Sequence, residues 1–225
     1  MSDGWSNEEL RGAVDAYVEM QRIERKGQSL IKKRYYEELA AQFGRTEKAF
    51  EYRMQNISYV LSLMGRDWLT GLKPATNVGA NVAAEIEALL AQAEGRKSVP
   101  VAAFEIAVRE EAKKKNLLTP TGNRNPKTTL LEVTQFQRNP TVKAWVLQQA
   151  NGKCECCEQS APFNGADGLP YLEVHHVCQL ADDGSDTVTN AVALCPNCHK
   201  ELHYGENSLA LVARLCDRVT RLVRE

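Results

Sequence analysis

The sequence predicts a mainly α-helical chain with a small α+β domain at its C-terminal end. Three observations carry this expectation. Apolar residues recur at helical spacing, between recognisable caps, through residues 1–95. A basic stretch broken by proline and glycine follows over residues 96–138. Residues 139–225 combine a β-rich run with two Cys-x-x-Cys pairs and all four histidines. These stretches define a helical module, a basic helix with a linker, and a metal-stabilised domain.

The first helix opens at Ser6-Asn7-Glu8-Glu9, which has the pattern of a capping box, and Leu10, Ala13, Val14, Tyr17 and Val18 follow on one face. It is expected to end near Arg25, before Gly27. A second helix is predicted over residues 29–43, with Ile31, Tyr35, Leu39 and Phe43 in one stripe and Gly44 as its stop. Thr46 then caps a third helix that carries Ala49, Phe50, Ile57, Val60, Leu61 and Met64. Two helices joined by the short turn Gly44-Arg45-Thr46 have the outline of a helix-turn-helix module. In such a module the last helix enters the DNA major groove and reads base edges from its first turns. Arg45, Lys48, Arg53 and Gln55 are the candidates for that role, with Glu47, Glu51, Tyr52 and Asn56 beside them. The same outline also serves an ordinary helical bundle, and residues 1–95 have a net charge of −2.

Further helices are predicted at residues 82–93 and 101–115, separated by the linker Gly95-Arg96-Lys97-Ser98. Residues 119–127 read as a loop, with two prolines, a glycine and two asparagines. Residues 96–150 have a net charge of +6, which suits contact with a polyanion and equally a solvated face. Lys113, Lys114, Lys115, Arg124 and Lys127 are the candidate phosphate contacts. Pro140 sits where a first helical turn tolerates it, ahead of a helix over residues 142–150.

Composition sets limits on the class. With 43% hydrophobic and 25% charged residues, the chain is neither disordered nor fibrous. No apolar run approaches the roughly 18–20 residues that cross a bilayer, so no membrane partner is expected. The segment Met1-Ser2-Asp3-Gly4-Trp5 lacks a secretory pattern, which predicts a cytoplasmic protein. In that setting cysteines at regular spacing indicate a metal rather than disulfides.

Cys154 and Cys157 form one knuckle, and Cys195 and Cys198 form another 38 positions later. Together they offer the four thiolates of a closed, structural zinc site. The stretch between the knuckles is too long for a simple zinc ribbon, so a folded insert is expected there. Cys156, Cys178 and Cys216 are read as ordinary thiols. Residues 172–177 (Leu172-Glu173-Val174-His175-His176-Val177) alternate and read as a strand, on which His175 and His176 would face opposite sides unless the strand ended there. His199 and His203, four apart on the helix opened by the second knuckle, put two imidazoles on one face as an arm for a second metal.

The set Cys154/Cys157, Glu173-Val174-His175-His176-Val177, Asn190, Ala193-Leu194-Cys195-Pro196-Asn197-Cys198-His199 and His203 resembles the HNH endonuclease family, and within it the McrA-type enzymes specific for 5-methylcytosine. The resemblance runs from about Asn139 past Tyr204 and does not extend to the first 95 residues. It implies a ββα-metal fold in the C-terminal domain. It implies that His176 is the general base, that Asn190 holds the base-bearing loop, and that His175, His199 and His203 bind the catalytic metal. Gln179 stands where many relatives have proline.

The implied activity is metal-dependent hydrolysis of phosphodiester bonds in double-stranded DNA, directed to modified cytosine. Other readings of the same residues are an HNH nuclease or nickase acting on unmodified DNA, and a non-catalytic zinc-stabilised DNA-binding protein. Magnesium or manganese is the expected catalytic ion. The all-imidazole ligand set also suits cobalt, nickel or zinc. Cutting both strands needs two sites, so a homodimer is expected.

Overall fold

The computed structural model describes residues 4–97 and 99–225. Met1, Ser2 and Asp3, part of the segment read for a secretory pattern, and Ser98, part of the expected linker, lie outside the described residues. The chain divides into two compact units, Met1–Thr134 and Gln135–Glu225. Among the described residues there are eight α-helices and one two-stranded antiparallel sheet. No described helix is long and apolar enough to cross a membrane.

The first unit contains α1 (Asn7–Arg25), α2 (Lys32–Phe43), α3 (Glu47–Leu63), α4 (Ala80–Ala93) and α5 (Ala102–Ala112). The capping box forms: Ser6 Oγ accepts from the Glu9 amide, and the Glu9 carboxylate accepts from the Ser6 amide at 2.7 Å. Gly44 closes α2 in the left-handed region at φ 73°, a conformation that costs glycine nothing. The helix α2 begins at Lys32, later than its apolar stripe implies. Leu10, Val14, Tyr17, Phe50, Met54, Ile57, Leu61, Ile86 and Leu90 form a buried core between α1, α3 and α4. Inside it, the Tyr17 hydroxyl meets Ser58 Oγ at 2.8 Å and accepts from the Leu69 amide.

The helix α5, which ends at Ala112 before the run Lys113–Lys115, packs on α4, whose buried Glu87 carboxylate accepts from the Val101 and Ala102 amides at 2.9 and 3.0 Å. That side chain supplies the N-terminal cap α5 otherwise lacks. Beyond α5 the chain is exposed throughout residues 111–140. It is tied back where the Thr134 amide donates to the Lys97 carbonyl and Lys97 pairs with Glu132.

The second unit contains α6 (Pro140–Ala150), β1 (Glu173–His176), β2 (Ala191–Leu194), α7 (Pro196–Tyr204) and α8 (Ser208–Arg218). Asn139 caps α6 with Pro140 at its first turn. The strands pair antiparallel, with His175 opposite Val192 and His176 opposite Ala191. All four β2 residues are fully buried, so the small sheet is covered on both faces. Two of the paired cysteines, Cys154 and Cys198, belong to this unit's small apolar core. At its edge, Arg221 grips Glu155 with two hydrogen bonds of 2.7 Å and donates to the Ala191 carbonyl. Glu155 in turn accepts from the Ala193 amide, which locks the first knuckle to β2.

Candidate active site and metal centres

The first centre is built by two turns. Cys195 is the N-cap of α7, and its Sγ accepts from the Cys198 amide at 3.5 Å. The first knuckle closes where the Glu158 amide donates to the Cys154 carbonyl, with Glu158 at φ 62°. These turns bring the sulfurs of Cys154, Cys157, Cys195 and Cys198 within 4.8 Å of one another. Burial raises the Cys154 thiol, but backbone contacts from Cys157, Cys195 and Cys156 outweigh it and hold the group below its ordinary value. Burial pushes Cys157 and Cys198 up, and for Cys198 the neighbouring Cys195 and Cys154 add to it. Four ionised sulfurs this close repel one another unless a cation sits between them, so the donor set fits a thiolate-bound metal.

The second centre lies across β1 and α7. Ring nitrogens of His175, His199 and His203 fall within 4.8 Å of one another. His199 and His203 are one helical turn apart, and their Nε2 atoms are separated by 3.2 Å. The ionised Glu173, two residues before His175 on β1, accepts from His199 Nδ1 at 2.5 Å, and the Tyr171 hydroxyl donates to its other oxygen at 3.2 Å. The hydrogen bond from His199 holds the Glu173 carboxyl below its ordinary value. It also fixes the His199 tautomer, leaving the Nε2 lone pair for a metal. Burial, with His203, His199, His176 and Arg138 nearby, pulls His175 down to about 3, so its ring is a neutral donor at pH 7. Three converging imidazoles offer a nitrogen donor set that fits a divalent transition ion.

The strand alternation holds, and it separates the adjacent histidines. His175 turns to α7, while His176, 6% exposed, has its Nε2 2.7 Å from Asp186 Oδ1. The other oxygen of Asp186 accepts from the Asn139 amide at 2.5 Å. Burial raises the Asp186 carboxyl, but the Asn139 amide and His176 outweigh it and keep it ionised. A carboxylate only accepts, so His176 Nε2 donates a proton to Asp186 and Nδ1 points away from that bond. The side chain of Asn190, 1% exposed, spans the intervening loop: its Oδ1 accepts from the Cys178 amide, and its Nδ2 donates to the Cys178 and Ser185 carbonyls.

Glu173 and Asp186 escaped the sequence reading. Period-two spacing from His175 would have placed Glu173 on the same strand face. Asp186 lies in an irregular loop and has no spacing signal. The folded insert expected between the knuckles contains the bridge of Asn164 to Pro170 and the paired strands β1 and β2.

The expected DNA-reading residues are more dispersed. Arg45 donates to both oxygens of Glu9 and to the Gly4 carbonyl, and its guanidinium covers the Trp5 ring. Arg53 lies over the same ring at 4.4 Å, and burial pulls it down to about 10, leaving it charged at pH 7. Asn56 is buried and donates to Ala75 and Asn77. Lys48 pairs with Glu51, and Gln55 is half-buried. Lys113, Lys115, Arg124 and Lys127 are exposed, as is Lys114 in its pair with Glu111.

Comparison with known proteins bears on the C-terminal part. Residues 154–205 match the family model described as HNH endonuclease. A segment of 113 residues is 51% identical to the Type IV methyl-directed restriction enzyme EcoKMcrA of Escherichia coli (strain K12), covering 48% of this chain and 39% of that enzyme. The chain therefore spans well under half the length of this relative. A solved structure, that of the Type IV phosphorothioation-dependent restriction endonuclease ScoMcrA, shares 37% identity over 37% of this chain and 17% of its own, with a TM-score of 0.35. The C-terminal unit carries a domain of the HNH endonuclease family.

Proposed function

We propose that the chain is a metal-dependent DNA endonuclease whose C-terminal unit hydrolyses phosphodiester bonds. The observation that carries this reading is the convergence of His175, His199 and His203 on β1 and α7, next to His176 held by Asp186. A divalent cation bound by the three imidazoles would polarise a phosphoryl oxygen and stabilise charge on the leaving 3′ oxygen. His176 takes the proton from the attacking water through its free Nδ1. Asp186 orients that ring and stabilises it once it is charged. Asn190 holds the loop between them. The four cysteines bind zinc in a structural role, since they leave no open ligand position. Their thiols stay reduced in the cytoplasm, where we place the protein.

The substrate we propose is double-stranded DNA bearing modified cytosine, cut by a homodimer in a restriction system. Support comes from the high identity to an enzyme named as methyl-directed. A second reading, cleavage or nicking of unmodified DNA, is favoured by the extent of that match, which covers less than half of the chain. Lys113, Lys114, Lys115, Arg124 and Lys127 serve as phosphate contacts that position the DNA without reading its sequence.

Matched plasmids, unmodified or carrying methylated or hydroxymethylated cytosine, are digested with magnesium, manganese, cobalt, nickel or zinc. Cleavage confined to modified plasmids supports restriction, and equal cleavage of all supports the second reading. No cleavage with any ion overturns the assignment as a nuclease.

A further inference from the structure

The insert between the first knuckle and β1 supplies no ligand to either metal centre, yet it is well ordered by hydrogen bonds. The Gly165 amide donates to the Leu169 carbonyl at 2.8 Å, and the Tyr171 amide donates to the Phe163 carbonyl at 2.9 Å. Gly168, at φ 80°, makes the turn that lets the chain double back. The result is a closed finger. Phe163 and Tyr171 stack on each other at its base, with centroids 4.7 Å apart and planes 19° apart. Both stand outside the apolar core of their unit, 52% and 40% exposed, and Leu169 at the turn is 64% exposed. Ordered aromatic surface left in water is costly unless something covers it.

The position of the finger identifies its occupant. The Tyr171 hydroxyl binds Glu173, which in turn holds His199, so the aromatic pair is two hydrogen bonds from a nitrogen of the imidazole centre. A DNA strand whose phosphate reached that centre would have flanking bases within range of the finger. Charge does little to hold it there, because residues 135–225 carry 8 Lys/Arg against 11 Asp/Glu, a net of −3. Stacking on a base needs no positive charge and tolerates any sequence, since every base offers a π-face.

We propose that the Phe163–Tyr171 finger is a DNA-contact surface that stacks on a base flanking the scissile phosphate. The proposal rests on the endonuclease reading above. A base face is open only where the helix is unstacked, and unstacking costs least at mismatched or unpaired positions. The finger therefore favours DNA that is locally distorted at the site of cleavage.

The test uses the full chain and two fluorescein-labelled duplexes of one sequence, one fully paired and one with a central run of mismatches. Kd is measured by anisotropy without added divalent ion, and KM and kcat with manganese. Wild type is expected to bind the mismatched duplex more tightly. Phe163→Ala is expected to raise its Kd and KM about tenfold, equivalent to ~1.4 kcal/mol of base stacking, with kcat within about twofold. Phe163→Trp, which keeps a ring, restores binding. Unchanged Kd and KM in Phe163→Ala overturn the proposal. So does a loss accompanied by a change from dimer to monomer in sedimentation, which would mean that a second copy covers the finger. If wild type cleaves nothing, the nuclease reading fails, and the comparison of Kd values still decides for or against the finger.

Discussion

His176 and Asp186 are ten positions apart in sequence and 2.7 Å apart in space, and the pair tests how the base is held. His176→Ala is expected to lower kcat by roughly 100- to 10,000-fold while zinc content stays unchanged, as for loss of a positioned general base. Asp186→Asn keeps an oxygen acceptor for His176 Nε2 and is expected to lose about tenfold. Asp186→Ala frees the ring and is expected to lose about a hundredfold, the range typical of an orienting partner. Equal activity in all three variants would remove the dyad from the chemistry. In the first unit, Arg45 holds the Glu9 carboxyl down to about 2, from a geometry in which the two side chains are 23% and 13% exposed. A carboxylate with a lowered folded pKa stabilises the fold above its unfolded value near 4.5, and that stabilisation is lost as pH falls towards 2. Glu9→Gln is therefore expected to cost about 1–2 kcal/mol at pH 7, after allowance for solvent screening. Its gap from wild type in chemical denaturation should close between pH 4.5 and 2. A gap independent of pH would mean that capping alone accounts for the loss.

At the scale of elements, the two knuckles do for the second unit what α1, α3 and α4 do for the first. Cys154 and Cys198 are themselves part of the apolar core that holds β2 against α6 and α7, so losing a metal bound there would take core packing with it. Cys195→Ser is expected to lower the bound zinc by one ion per chain. It is also expected to abolish the calorimetric transition of the second unit while that of the first remains. A variant with a normal melting profile and lost activity would place this centre in catalysis instead. Elements with strong local signals were legible beforehand: the capping box of α1, the left-handed Gly44 and the Pro140 turn all depend on neighbouring residues alone. So was the clustering of the cysteines and of His199 with His203, because Cys-x-x-Cys and the four-residue step are local spacings. Other elements were not. The strand β2, Ala191–Leu194, is buried on both faces, so its sequence is a short apolar run with no alternation to identify it. The C-terminal helix α8 was not anticipated, although Leu211 and Leu215 stand one helical turn apart. Arg45 and Asn56 looked like polar residues free to read bases. Their partners Glu9 and Asn77 are 36 and 21 positions away, a distance that helical periodicity does not encode.

For the whole molecule, charge and chemistry lie on different segments. The residues that would act on phosphate sit in a unit of net acidic charge, and the candidate phosphate contacts Lys113, Lys114, Lys115, Arg124 and Lys127 lie exposed in the first. On the proposed function, such a chain would gain affinity from one part and turnover from the other. Each phosphate contact made by a cation releases condensed counterions, so the slope of log Kd against log salt counts the contacts at about 0.9 per contact. Lys114 is already paired with Glu111 in the free protein and brings less than a full contact. Replacing all five residues by glutamine should therefore reduce the magnitude of the salt slope by about 3–4. It should weaken binding to modified and unmodified duplexes by the same factor, because phosphate contacts carry no sequence information. It should leave kcat at saturating DNA unchanged, because none of these residues belongs to the unit that holds the imidazole centre. Anisotropy titrations at several salt concentrations, with single-turnover cleavage on the same DNA, measure all three quantities. An unchanged slope would show that the basic segment stays in solvent and that the DNA is held elsewhere. A fall in kcat would show that these cations act at the cleaved bond.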